Sequence, residues 1–311
     1  MRVRLVMVST ILLVWSFTTL LITKGWASTN GSRNTIDKIS TTQRHYDLIQ
    51  MPDIDDEGAD GFDHNPTMMK LEAGVGRHDR SHKYIIYDHV VVGSEFISLS
   101  HSFGVTLCTI SSIDRLYWLA ETSSLWDGPV SIAVFVFDHE IDILQTYISY
   151  LRSCFRYVRE RVSFSLAHPL HSSPNHSPEV DSTISNWVLP CSDPRNTLNK
   201  LLGLIKKKPK DFEFPQNHLR NIARESSLTH YSLSLDVDIF PSPGMAKVLA
   251  RFLNRNTCVK CAFVIPTYEI HHKAIFPANK TALLRLVKKL QARPYHSKVF
   301  IHNQFATNFS Q

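Results

Sequence analysis

HYSLSLDVDIFPS, residues His230 to Ser242, is an apolar, strand-like run that ends in two carboxylates one residue apart. Residues two apart on a strand point the same way, so Asp236 and Asp238 share one face. Ligands of α/β proteins bind at the carboxyl ends of parallel strands. Neighbouring carboxylates repel each other and need a cation or a proton between them. A hard divalent cation such as Mn2+ or Mg2+, which in turn holds a diphosphate, accounts for the pair.

Strand and helix patterns alternate along the chain around this run. FGVTLCTI (Phe103–Ile110), VSIAVFVF (Val130–Phe137) and RVSFSLAHP (Arg161–Pro169) are short apolar runs typical of buried strands. Segments with helical spacing separate them, beginning near Ser111 or Ser112, which can cap a helix, and near Glu140. CAFVIPTYEI and KTALLRLVKKLQA add a further strand and helix downstream. The sequence therefore predicts an α/β domain with a mostly parallel central sheet covered on both faces.

The Asp-x-Asp pattern alone is not specific. Asp53 and Asp55 form a second example, but their flanks are polar and no strand precedes them, so we interpret that pair as part of a solvated loop. For Asp236 and Asp238, the alternative is a loop that caps the next helix. A metal site and a capping loop both remain open at this point.

The helix before the run carries a basic stripe. Asn217, Arg220 and Arg224 recur at steps of three and four, on a different side from the apolar residues. Arginine forks suit phosphate oxygens, so a stripe beside an acidic metal site fits a nucleotide diphosphate. The alternative is an ordinary solvated helix face.

The net charge does not indicate a nucleic-acid partner. The chain has a formal charge of +6, but its basic residues are scattered, with one short cluster at Lys206 to Lys208. Binding of nucleic acid would require a basic face or a known module. The surplus fits an anionic ligand or a soluble surface.

The N-terminus predicts a membrane anchor. Arg2 and Arg4 precede an uncharged run, Leu5 to Thr23, which is long enough to cross a bilayer. The flanking charges place the N-terminus in the cytosol. We expect a type II membrane protein, with a cytosolic tail over 1–4, an anchor over 5–23, a flexible stem over 24–100 and a lumenal domain over 101–311. The alternative is a cleaved signal peptide, and with it a secreted, lectin-like protein.

Sequons and cysteines agree with a lumenal address. Asn-x-Ser/Thr sequons occur at Asn30, Asn175, Asn279 and Asn308. Some of the five cysteines should pair in an oxidising lumen, and the odd count leaves at least one without an intrachain partner. Cys258 and Cys261 have the spacing of half a zinc site, but no second pair completes it. A disulfide or two buried thiols is the preferred interpretation there.

Several segments resemble one family. FPQNHLRNIARESSLTHYSLSLDVDIFPSPGMAKVLARFL, followed by CAFVIPTYEI, resembles the LARGE-type glucuronyltransferase family, and within it the beta-1,4-glucuronyltransferases of dystroglycan glycan assembly. VTLCTISSIDRL, LWDGPVSIAVFVF and KTALLRLVKKLQARPYHSKVF fit the same family in the same order. The resemblance covers about Phe103 to Gln311 and is far more specific than Asp-x-Asp alone.

The resemblance implies a Golgi type II glycosyltransferase with a GT-A fold. Such enzymes use Mn2+ and a UDP-sugar, here UDP-glucuronic acid, and act by a single in-line displacement that inverts the anomeric centre. The acceptor implied is a glycan or glycoprotein in protein O-glycosylation. Partners implied besides substrates are the membrane and other Golgi glycosyltransferases, and nucleic acid is not among them.

The resemblance also implies roles for particular residues. Asp236 and Asp238 would hold the metal and the nucleotide. Asn217, Arg220 and Arg224 would lie near the donor, and Thr106 and Thr109, at the end of the first strand, near the nucleoside. Glu269 would be an acceptor-side residue or base, with helix capping or a salt bridge as the alternative.

One departure bears on activity. Family members continue beyond Gln311, and that later part contains a His that supplies another metal ligand, together with much of the acceptor pocket. None of the 16 histidines here occupies that place. The resemblance therefore implies a domain that is incomplete at its C-terminus. The alternative function is a truncated, non-catalytic Golgi membrane protein that binds a nucleotide or a partner glycosyltransferase.

Overall fold

The computed structural model describes residues 76–137, 140–170, 187–205, 213–256 and 261–295, together with the strand backbone of Val3–Met7 and Leu21–Lys24. The strands are β1 (Val3–Met7), β2 (Leu21–Lys24), β3 (Arg77–His78), β4 (Tyr84–Val91), β5 (Val105–Ser112), β6 (Val130–Phe135), β7 (Val162–Pro169), β8 (Tyr231–Asp236), β9 (Ile239–Phe240), β10 (Ala262–Val264), β11 (Thr267–His271) and β12 (Ala292–Pro294). The helices are α1 (Phe96–Phe103), α2 (Trp118–Leu125), α3 (Ile141–Cys154), α4 (Arg156–Arg161), α5 (Pro194–Leu202), α6 (Gln216–Glu225), α7 (Met245–Arg255) and α8 (Lys280–Lys288), with a 3-10 turn at Ile113–Arg115.

Within these residues the strands form two sheets. The larger has the order β10-β2-β8-β5-β6-β7-β4-β3, and the smaller has the order β12-β11-β1-β9. The four central strands of the larger sheet, β8, β5, β6 and β7, all run parallel. Its outer strands pair antiparallel. The predicted mostly parallel α/β sheet is confirmed.

Helices cover both faces of the central strands. One core packs α2, α3, α5 and α7 against the face that carries Leu107, Ile132 and Leu235. A second packs α6 against the face with Cys108 and Phe135. Strands buried on both sides are rich in apolar residues, here with buried Ser and Thr side chains between them, and this made them recognisable in the sequence.

The folded domain extends further toward the N-terminus than the predicted boundary at residue 101. Strand β4 pairs antiparallel with β7, and Val90 and Val91 belong to the main core. Gly93 then passes so close to α4 that a Cβ there would lie 2.4 Å from the Glu160 carbonyl oxygen. Arg77 to Ser100, which fall in the predicted stem over 24–100, thus contain strands and a helix of the folded domain, because the apolar residues of β4 complete the edge beside β7.

The N-terminal run enters the described structure only as strand backbone. Strand β1 lies between β9 and β11, and β2 lies between β8 and β10. These strands overlap both ends of the anchor predicted over 5–23, while residues 8–20 lie outside the described residues. In the described part of the chain, no helix has the length and apolarity needed to cross a bilayer. The anchor stays a prediction.

The cysteines divide into bonded and buried ones. Cys154, at the end of α3, forms a disulfide with Cys191, ahead of α5. Cys261 is also disulfide-bonded, which favours the disulfide interpretation over a zinc site. Cys108 is a free thiol in the core, and burial raises its pKa to about 12. It is therefore protonated and unreactive in the folded protein.

Candidate functional site

The two carboxylates lie at the carboxyl end of a central strand. Asp236 is the last residue of β8, in register with Ile110 of β5, and Asp238 follows in the turn before β9. Between them the Val237 side chain is buried. The backbone carbonyl of Val237 accepts a hydrogen bond from the Thr122 hydroxyl over 3.0 Å. The turn is thus held from the core side, which fixes where both carboxylates emerge.

Each carboxylate is paired with an arginine from another element. Arg220 of α6 donates to Asp236 over 2.9 Å, and Arg115 of the 3-10 turn donates to Asp238. The Asp238 side chain is 28% exposed and that of Asp236 is 40% exposed, so both remain accessible to a ligand. Opposite charges beside the pair offset the repulsion between its carboxylates.

Sequence reasoning missed Arg115. It lies in the turn directly after β5, the strand beside β8, so both of these neighbouring strands bring a charged residue to the same edge. Ser112 donates to Asp114 over 2.5 Å at the start of this turn. The available signal was Ile113-Asp114-Arg115 at the end of a buried strand, but using it required the strand order.

A cavity of about 840 Å³ opens beside the carboxylates. Such a volume suits a small-molecule ligand. Asp236, Asp238 and Arg115 line it, and so do Ser111 and Ser112 of β5. Its described lining also contains an apolar set, comprising Ile110, Ile113, Phe135, Phe137, Leu202, Ile205, Phe214 and Val237. The cavity therefore combines a charged group of side chains with an aromatic and aliphatic wall.

The two threonines predicted near the nucleoside do not line this cavity. Strand β5 continues to Ser112, since its pairing with β6 runs on to Phe135, so Thr106 and Thr109 lie within the strand instead of at its end. The Thr106 hydroxyl is 2.7 Å from that of Thr229, and the Thr109 hydroxyl is buried without a hydrogen-bond partner in the described structure. Ser111 and Ser112 occupy the end of the strand, where the two threonines were predicted to lie. They extend the strand instead of capping a helix.

Helix α6 brings one of its three predicted donor residues to the carboxylates. Arg220 reaches Asp236, whereas Asn217 and Arg224 are exposed on the helix surface. Arg224 donates to Asn221 over 3.3 Å. Gln216, one turn before Arg220, lines the cavity instead of Asn217.

Glu269 lies in the neighbouring sheet and forms an ion pair there. Its Oε2 accepts from Nε and Nη2 of Arg293, each at 2.6 Å, and the two residues are opposed in register across β11 and β12. Tyr295 follows β12, and its pKa is raised by burial and then by the charges of Asp236, Asp238 and Glu269. The end of β12 is thus electrostatically coupled to the carboxylate pair.

The residues present fit a hard divalent cation in part. Carboxylate oxygens are suitable ligands, and Mg2+-like ions are commonly held by one or two carboxylates with phosphate oxygens and water completing the shell. In the described ranges, no three His, Cys, Asp or Glu side chains are grouped as a metal site. Asp236 and Asp238 would therefore contribute two ligands, and the remaining positions would be open to a phosphate-bearing substrate.

A known protein family matches the part of the chain that contains these site residues. A family model described as "Glycosyl-transferase for dystroglycan" matches residues 104–311, which include both carboxylates and Arg115. Beta-1,4-glucuronyltransferase 1 of Homo sapiens and that of Bos taurus are each 29% identical over 211 residues, covering 67% of this chain and 50% of theirs.

A more distant relative belongs to the LARGE group. Xylosyl- and glucuronyltransferase LARGE2s of Gallus gallus is 26% identical over 196 residues, covering 62% of this chain and 21% of its own length. The chain spans about half the length of the beta-1,4-glucuronyltransferases it matches. The resemblance to LARGE-type glucuronyltransferases is confirmed, and the chain belongs to the family of glycosyltransferases for dystroglycan.

Proposed function

We propose that this protein is an Mn2+-dependent, inverting glycosyltransferase that transfers glucuronic acid from UDP-glucuronic acid to a glycan acceptor in protein O-glycosylation. The observation that carries the proposal is the pair Asp236 and Asp238, which ends a central parallel strand beside the cavity. Family membership and the similarity to glucuronyltransferases support the donor.

The chain's own residues would divide the work of binding. Asp236 and Asp238 would hold Mn2+, which supplies positive charge to stabilise the departing diphosphate. Arg220 orients Asp236 from the helix side. Phe135 and Phe137, whose ring centroids are 5.2 Å apart, offer an apolar wall for the flat base. We assign Glu269 a structural role because it is already engaged by Arg293.

Calorimetric titration of UDP into the full-length protein purified in detergent, with and without Mn2+, tests the donor site. We expect binding that depends on Mn2+ and that falls at least about tenfold in Asp236→Asn and Asp238→Asn. Asp193→Asn is the matched control, since Asp193 caps α5 away from the cavity and Asn caps helices equally well. A screen of UDP-sugars follows. A well-folded protein without Mn2+-dependent UDP binding contradicts the proposal.

We also propose a Golgi membrane address, with a type II anchor and a lumenal domain. The Cys154–Cys191 disulfide supports it, because disulfides persist in oxidising compartments. Protease protection of the intact protein in sealed vesicles tests the orientation. N-terminal sequencing of the product distinguishes the anchor from a signal peptide cleaved after about residue 23.

A second candidate is a non-catalytic Golgi membrane protein that binds a nucleotide or a partner glycosyltransferase. The observation that favours it is that Arg115 and Arg220 each form an ion pair with one of the two carboxylates. A folded protein that binds UDP equally well with and without Mn2+, or not at all, would support this candidate over the enzyme.

A further inference from the structure

Arg115 is the basic side chain among the described residues that line the cavity. The acidic side chains of that lining are Asp114, Glu140, Asp236 and Asp238. Arg220 also pairs with a carboxylate, but it reaches Asp236 from α6 and is not part of the lining. The two arginines therefore differ, since only Arg115 combines an ion pair with a position facing the ligand space.

The backbone that carries Arg115 is firmly held, while its guanidinium is accessible. Ile113 and Leu116, on either side, are 3% and 0% exposed and belong to the main core. The Leu116 N–H donates to the Ile113 carbonyl and closes the turn. The Arg115 side chain is nevertheless 51% exposed. It can change its partner by rotating about its own bonds while the turn stays in place.

Asp238 cannot serve Arg115 and a bound cation equally, because a guanidinium and a metal ion beside one carboxylate repel each other. A phosphate oxygen is the natural alternative partner for the guanidinium, whose planar fork matches it. We propose that Arg115 exchanges Asp238 for the diphosphate of the bound sugar nucleotide. This inference rests on the proposed function and adds to it the residue that contacts the diphosphate.

The exchange predicts that one variant, Arg115→Ala, binds Mn2+ alone more tightly and UDP more weakly than the wild type. Arg115→Ala removes a competitor for Asp238, so Mn2+ alone should bind about twofold to fivefold more tightly than in the wild type. The same variant loses a phosphate contact, so UDP in saturating Mn2+ should bind about tenfold more weakly. Uridine, which lacks phosphate, should bind both proteins alike. Arg115→Lys keeps the charge without the planar fork, so its affinity for UDP should lie between those of the wild type and Arg115→Ala.

Calorimetry with Mn2+, UDP and uridine on the full-length protein purified in detergent measures all three affinities, and thermal unfolding of each variant monitors the fold. Arg195→Ala is the matched control, because Arg195 does not line the cavity. Its guanidinium lies over the ring of Tyr117, and Tyr117 follows the turn by two residues. Unchanged UDP affinity in Arg115→Ala, equal losses for UDP and uridine, or weaker binding of Mn2+ alone would each overturn the exchange. Absence of Mn2+-dependent UDP binding in the wild type is a distinct result that removes the proposed function and, with it, this inference.

Discussion

Glu269 and Arg293 lie directly opposite each other across β11 and β12, and two guanidinium nitrogens converge on one carboxylate oxygen. The Glu269 side chain is 13% exposed, so its carboxylate depends on Arg293 for compensation more than a surface residue would. This pairing explains the position of Glu269 without any role in proton transfer.

A structural role for Glu269 predicts matching losses of stability. We expect Glu269→Gln and Arg293→Gln each to lower the free energy of unfolding by about 1 kcal/mol, a value reduced by solvent screening at the half-exposed arginine. The double variant should lose about as much as either single one, because all three lack the same ion pair. Urea denaturation measures the losses. A Glu269→Gln protein of unchanged stability that binds UDP normally but has lost turnover would instead identify a catalytic base.

The hydrogen bonds to Asp79 predict that the folded protein loses stability in acid. Burial alone would raise its pKa, but the Ser81 hydroxyl and the backbone N–H groups of Tyr84, Ser81 and Lys83 outweigh burial and hold the pKa well below its usual 3.8. A carboxylate with a depressed folded pKa contributes stability that is complete above the unfolded pKa and declines as the pH falls below about 4. Asp79→Asn should be less stable than the wild type at pH 7 by about 1–3 kcal/mol, with the gap narrowing below pH 4.

Urea denaturation between pH 7 and pH 3 checks this dependence. His218 Nδ1 lies 3.3 Å from the same carboxylate, so the series is repeated in a His218→Gln background to remove that ion-pair partner. A gap between wild type and Asp79→Asn that stays constant across the range would contradict the assignment.

The Cys154–Cys191 disulfide predicts a large contribution to stability. It closes a loop with a sequence separation of 37 residues. Loop-closure entropy alone gives about 4 kcal/mol for such a loop, although measured values are often smaller. We expect the double variant Cys154→Ala and Cys191→Ala to unfold at a clearly lower temperature than the wild type. Calorimetric melting measures the difference, and melting temperatures within one degree of each other would count against the prediction.

Asn279 predicts an N-linked glycan if the domain is lumenal. Its Oδ1 accepts from the Ala282 N–H over 2.9 Å and caps α8, while the side chain is exposed together with Thr281. The Nδ2 atom that carries a glycan is therefore not needed for the cap. Expression in a secretory host should give a band that Asn279→Gln and Thr281→Ala each shift by one glycan. A fully occupied Asn30 sequon with an unmodified Asn279 would contradict the prediction without affecting the lumenal assignment.

The central fold was predictable because its signals are local. Strands β5 to β8 are largely buried on both faces, so each is a short run of apolar residues and small Ser or Thr side chains without charges before its carboxyl end. Leu219, Ile222 and Ala223 of α6 recur at helical spacing and are all buried. The position of Asp236 and Asp238 followed from strand direction alone. Each of these inferences needs only the residues of one element.

The remaining features depend on which strands are neighbours. Arg115 meets Asp238 because β8 joins the sheet beside β5, an order that no local pattern encodes. Ser111 and Ser112 looked like helix caps, but pairing with β6 draws them into the strand. Glu269 could not be assigned from its own segment, since its partner Arg293 lies on a later strand.

The position of β8 in the sheet also determines when the site can form. Strands β5, β6 and β7 follow one another along the chain, whereas Arg115 and Asp238 are 123 residues apart in sequence. Long-range strand pairing is slow, because a large loop must close before the contacts compensate for its entropy. The β5–β6–β7 unit can therefore assemble during synthesis, before the part of the chain that carries Asp236 and Asp238 has been synthesised. Changes between β7 and β8 at positions that neither line the cavity nor pair with the carboxylates can therefore delay the maturation of the site.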